Sequence, residues 1–164
     1  FKDAYRQQIT TSTLLLSMNT VSFETACEAR FALERACIPL AVKRRTPDHL
    51  ASMRAEIHRQ AQPGLTDESF CASDVAFHRT LVDSAQNPIM SYQLAGAVEA
   101  IEPLMNMITF TARKREKIVA YHTKIADTIQ AKDVLATETA LAALAAHTLD
   151  LANEVADQRK SRKS

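Results

Sequence analysis

Along most of this sequence apolar residues recur three and four positions apart, and almost nowhere do they alternate with polar ones as a half-buried strand requires. The pattern predicts an all-α fold. A first helix is expected over roughly residues 3 to 17, weakened by the run Thr10-Thr11-Ser12-Thr13. Ser22 caps the next, which carries Phe23, Ala26, Cys27, Leu33, Ala36, Cys37, Leu40 and Ala41 inward and is expected to kink at Pro39. Thr46-Pro47 opens a third helix in cap-then-proline order; it buries Leu50, Met53 and Ile57 and stops at Pro63-Gly64. Thr66 caps a fourth through about Ala85, and Asn87-Pro88 breaks it. A long apolar fifth then runs to about Thr111, with a kink expected at Pro103. The sixth covers roughly 114 to 131, and an alanine-rich seventh ends near Asp157. Connections this short join antiparallel neighbours, so the expectation is a single antiparallel bundle of six or seven helices over residues 1–158, with a solvated basic tail at 159–164.

Composition narrows the chemistry. The 164 residues contain only 2 Gly against 5 Pro, which argues against hairpin-rich folds, dinucleotide fingerprints and phosphate-binding loops, all of which need residues that tolerate positive φ. The 20 basic and 19 acidic side chains nearly cancel to +1, so the chain by itself offers no basic field for nucleic acid. Cys27, Cys37 and Cys71 are odd in number and widely spaced, which suits neither a disulfide framework nor a zinc knuckle. The apolar run Leu14-Leu15-Leu16 is too short for a signal or a membrane span, so a soluble, cytoplasmic protein without membrane contact is expected. The opening Phe1-Lys2-Asp3-Ala4-Tyr5-Arg6 reads as the inside of a helix, as a fragment would.

Several polar residues stand where the pattern calls for apolar ones. The inward stripe of the fourth helix is Phe70, Asp74, Phe77, Leu81 and Ala85, with His78 one turn after Asp74. A buried carboxylate needs a cation, and the i,i+4 spacing aims an Asp oxygen and a His nitrogen at one point, as metal sites on helices do; a plain Asp–His hydrogen bond uses the same spacing. His122 lies among Ile118, Tyr121, Ile125 and Ile129, and His147 among Leu141, Leu144, Leu151 and Val155. A lone histidine on such a face is often a core residue bonded to a carbonyl, but three helices aiming imidazole or carboxylate inward suggest convergence. His49 and His58 flank their stripe and are read as surface residues. Cys71, one turn before Asp74, is read as a buried spectator, with a thiolate ligand as the alternative. Arg30 also lies in an apolar stripe, where it either pairs with Glu34 or offers its guanidinium fork to a carboxylate or phosphate ligand.

Three segments resemble a known family, the C-terminal effector-binding and dimerisation (FCD) domain of bacterial GntR-type transcription regulators of the FadR class. Glu28-Ala29-Arg30-Phe31-Ala32-Leu33-Glu34 is similar to its opening ExRxxLE helix, and Asp74-Val75-Ala76-Phe77-His78 with Ala85-Gln86-Asn87-Pro88 to its DxxFH helix and break. His122-Thr123-Lys124-Ile125 with Ile129 and Asp133, then Ala140, Leu144 and His147, are similar to its closing helices, so the resemblance covers roughly 23 to 155. It implies one divalent metal held by Asp74, His78, His122 and His147, with zinc, nickel, iron and manganese all suited to such a set. It also implies a small organic acid bound beside the metal with Arg30 as its partner, a homodimer, and DNA contact only through an N-terminal winged helix-turn-helix that this sequence does not contain. The stretch Asp133-Val134-Leu135-Ala136-Thr137 is about three residues longer than the pattern. If those residues are helical, His147 is displaced by most of a turn; if they form a loop capped by Thr137, it is not. The functional expectation is a metal-dependent organic-acid sensor rather than an enzyme. The alternative is a helical metalloenzyme using the same three-His, one-Asp site, disfavoured because no spare inward acid or base remains as a proton shuttle.

Overall fold

The structure is a computed structural model that describes residues 23–94 and 114–161, and among these the fold is all-α. Its long helices are α1 (Phe23–Arg44), α2 (Pro47–Gln60), α3 (Asp67–Asp83), α4 (Arg115–Gln130) and α5 (Val134–Ser161), with a further helical stretch at 88–94. The helix expected at 3 to 17 and the Pro103 kink lie outside the described residues, while α5 continues to Ser161, into the stretch read as a tail.

The helices close into a ring in which α1 packs on α3 and α5, α5 on α4, α4 on α2 and α2 on α3. The core they enclose includes Ile38, Met53, Phe70, Phe77, Leu81, Ile125, Ile129 and Leu141. The inward face of α1 is rotated from the expected one. Cys27, Arg30, Phe31, Glu34, Cys37, Ile38, Ala41 and Val42 are buried, and Leu33 and Ala36 face outward. Counting 3.6 residues per turn from Cys27 gives this set directly; choosing apolar residues first draws in Leu33 and passes over Glu34. The helix runs unbroken through Pro39, which faces solvent.

Local chemistry sets the helix ends. Thr46 caps α2 in a reciprocal box, accepting from the His49 amide while its own amide donates to His49 Nδ1 at 3.1 Å. His49 is thus half-buried and structural, while His58 is exposed. Thr66 caps α3 through the Ser69 amide. The last residues of α1 close two neighbours: Arg44 Nη1 donates to the Ala85 carbonyl beyond α3 at 3.0 Å, and Arg45 donates to the Ile129 and Gln130 carbonyls at the end of α4, both at 2.9 Å. With glycine scarce, Gln86 (φ 49°) and Lys132 (φ 61°) take up the left-handed turns after α3 and α4.

The start of α5 sets the register of that whole helix. Asp133 Oδ1 accepts from the Ala136 amide at 2.9 Å, so Asp133 is the cap and the extra residues are helical rather than looped out. Thr137 is buried inside the helix, its hydroxyl donating to the Asp133 carbonyl. The inward face of α5 then reads Thr137, Ala140, Leu141, Leu144, Thr148 and Leu151.

Candidate metal centre

Asp74, His78 and His122 converge at the middle of the ring. One ligand atom from each lies within 4.8 Å of the others, with both histidines fully buried and Asp74 partly exposed. Asp74 and His78 share a face because they are one turn apart on α3, and His122 reaches them from α4. Phe77 packs against both imidazoles, which also meet each other edge-on at 5.2 Å: it stacks on His122 with centroids 4.1 Å apart and meets His78 edge-on at 5.4 Å.

His122 Nδ1 lies 2.8 Å from Gln60 Oε1 at the end of α2. Its Nε2 faces Asp74 Oδ1 at 3.4 Å and has no hydrogen-bond partner, nor has His78 Nε2. Burial pushes the His122 pKa down, with Asp74 opposing and His78 adding to the fall, to about 3. The ring is therefore neutral at ordinary pH and does not satisfy Asp74 as an imidazolium. Unpartnered imidazole nitrogens against a carboxylate are the donor set a divalent cation requires, and two nitrogens with one oxygen suit zinc, nickel, iron and manganese alike. The residues present fit such an ion.

Arg30 and Glu34 of α1 border this cluster. Arg30 Nε donates to Glu34 Oε1 at 3.0 Å, and its Nη2 stands 3.8 Å from Asp74 Oδ2, so it both pairs with Glu34 and faces the site. Burial would lower the Arg30 pKa, but Glu34 and Asp74 outweigh it and the guanidinium stays charged. Burial likewise would raise Glu34, yet His78, whose Nδ1 is 3.1 Å from Oε1, and Arg30 leave it below the ordinary carboxylate range. Glu34 lies one turn after Arg30, and Gln60 continues the spacing of Leu50, Met53 and Ile57; both are signals that a search for apolar residues passes over.

His147 does not join the cluster. Its half-buried ring packs against Tyr121 at 5.5 Å, and burial together with Lys117 and Lys114 lowers its pKa. The reason is the helical start of α5, which advances the register so that Leu144 and Thr148 point where the extra histidine was expected. These two, with Arg30, Phe31, Asp74, His78 and Ile118, line a cavity of about 20 Å³. Cys71 is buried one turn before Asp74 but stands outside the ligand group. Burial raises Cys27 and Cys37 to about 11, so they are inert thiols, and none of the three cysteines forms a disulfide.

The model of the FCD domain family matches residues 25–148, a span that contains Arg30, Asp74, His78, His122 and His147. This chain belongs to the FCD domain family. It is 27% identical over 120 residues to a Bacillus subtilis (strain 168) protein described as an uncharacterized HTH-type transcriptional regulator, YcbG, covering 73% of this chain and 50% of that protein. The FCD chain thus spans about half the length of that curated relative. The solved structure of E. coli McbR/YncC shares the fold, with a TM-score of 0.69 at 19% identity over 79% of this chain and 66% of that one. One FCD helix, over Val134–Glu154, is long and apolar enough to cross a membrane, but its Thr137, Leu141, Leu144 and Thr148 are buried in the bundle.

Proposed function

We propose that this chain is the effector-sensing part of a bacterial, cytoplasmic GntR-type transcription regulator. In this reading a divalent cation is held by Asp74, His78 and His122 beside Arg30, and a small organic acid is the signal. The observation that carries the reading is the convergence of Asp74 with the buried His78 and His122, whose Nε2 atoms have no hydrogen-bond partner. The family membership and a relative described as an HTH-type regulator support a sensor over an enzyme. DNA contact belongs to an N-terminal winged helix-turn-helix outside this sequence, and two copies pair through the bundle so that a change in helix spacing reaches the DNA-binding parts.

Charge supports an anionic effector. Arg30 stays charged and faces Asp74, and a divalent cation beside it would add positive charge to the cluster. The bound cation would supply coordination to a carboxylate oxygen, while the outward nitrogens of Arg30 donate to a second oxygen. The cavity of about 20 Å³ holds no more than one water-sized body, so an acid enters only as Leu144 and Thr148 of α5 draw back from α1 and α3. That movement is the proposed response.

A thermal-shift screen of small organic acids tests this on wild type, Arg30→Lys and chelator-treated protein. At a hundred times its dissociation constant an acid adds about 2.7 kcal/mol, a shift of several degrees in a domain of this size. The shift is expected to shrink in Arg30→Lys, which keeps the charge but not the fork, and to vanish in the treated protein. Equal shifts in all three samples would place the acid elsewhere. Turnover of an acid in proportion to bound metal would replace the sensor with an enzyme.

A further inference from the structure

We infer that Gln60 is the positioning residue of the Asp74, His78 and His122 cluster: its side-chain carbonyl fixes the tautomer of His122 and so turns the Nε2 lone pair onto Asp74. This role rests on the metal reading above and is the means by which the protein prepares the site for the ion.

Gln60 is the last residue of α2 and is almost wholly buried, a costly place for an amide. Its Oε1 can only accept, so at 2.8 Å from His122 Nδ1 it requires the proton there. A neutral imidazole carries one N–H. Nε2 is therefore a bare lone pair, 3.4 Å from Asp74 Oδ1, and two acceptors face one another with no hydrogen between them. The Phe77 stack holds the ring plane while Gln60 holds the proton, and together they leave two acceptors that a cation bridges favourably. Gln60 Nε2 has no hydrogen-bond partner, so the bond to His122 is what the buried amide offers in return for its desolvation. The opposite amide orientation would put a donor against Nδ1, move the imidazole proton to Nε2 and let it bond directly to Asp74, closing the site to metal. The two arrangements are chemically exclusive.

The experiment uses the full chain after chelator treatment, with ¹⁵N-labelled histidine. Long-range proton–nitrogen correlation reads the His122 tautomer, and zinc is then titrated in competition with a chromophoric chelator. Wild type is expected to show the Nδ1–H tautomer and to bind zinc. Gln60→Met, similar in length but without an acceptor, is expected to show mixed tautomers and zinc affinity about 10–100-fold weaker. Gln60→Glu restores an acceptor and is expected to restore the tautomer, with zinc affinity no weaker than wild type. An Nε2–H tautomer in wild type, or wild-type affinity in Gln60→Met, overturns the role of Gln60. If Gln60→Met fails to fold, the wild-type tautomer and the Gln60→Glu titration still decide it. Wild type that holds the Nδ1–H tautomer but takes up no zinc overturns the metal reading itself, and with it the purpose of Gln60.

Discussion

Arg30 and Glu34 show why single residues matter here. Both are buried, each is the nearest opposite charge of the other, and removing one leaves the other with a poorer partner. Glu34→Ala is expected to destabilise the fold by about 3–5 kcal/mol in urea unfolding, since Asp74 at 3.8 Å is a weaker replacement partner for Arg30. A loss below about 1 kcal/mol would mark the pair as no better than an exposed one. His122 predicts a pH dependence. Its pKa falls from 6.5 in the unfolded chain to about 3 in the folded one, so between these values the unfolded chain binds a proton that the folded chain refuses. Stability of the metal-free protein should therefore drop as pH falls from about 6.5 toward 3. Glu34, lowered from 4.5, works the same way only further into acid, its contribution being lost as pH falls through its folded value. Melting curves at pH 7 and pH 5 check the histidine part: a clear fall is expected for wild type and a smaller one for His122→Asn, and identical curves at both pH values would contradict it.

Helix register separates what the sequence made legible from what it hid. Asp74 and His78 could be paired from spacing alone, because both sit on α3 and no boundary intervenes. His122 could be placed because Ile118, Ile125 and Ile129 define its face. His147 could not, since its direction depends on whether α5 begins at Asp133 or after Thr137, a matter of one capping hydrogen bond. Glu34 and Gln60 sit at the inward spacing of α1 and α2 but are easily passed over, because polarity by itself reads as exposure. The α5 register predicts that Leu144→His, which places an imidazole in the cavity wall, tightens zinc binding in the competition titration, and unchanged or weaker binding would refute it. At the other end of the same connection, Lys132 holds a left-handed conformation at φ 61° while exposed. Lys132→Gly is expected to raise stability by up to about 1 kcal/mol in denaturant unfolding, and a loss would show that the lysine side chain does more than turn the chain.

At the scale of the molecule, all five long helices of the described residues reach the cluster. Arg30 and Glu34 come from α1, Gln60 from α2, Asp74 and His78 from α3, His122 from α4, and Leu144 and Thr148 from α5. A ligand that binds there bears on every one of them at once, which is how a site with little free volume can command the geometry of a bundle. In that ring α5 closes the circle between α1 and α4, and 33% of its apolar stretch is buried there. The central claim is that Asp74, His78 and His122 hold a metal ion, and elemental analysis of protein purified without chelators tests it most directly. About one divalent ion per chain is expected in wild type and in His147→Ala, and none in His122→Ala with the fold intact by circular dichroism. Metal-free wild type that takes up no ion on titration, or full occupancy in folded His122→Ala, would contradict it.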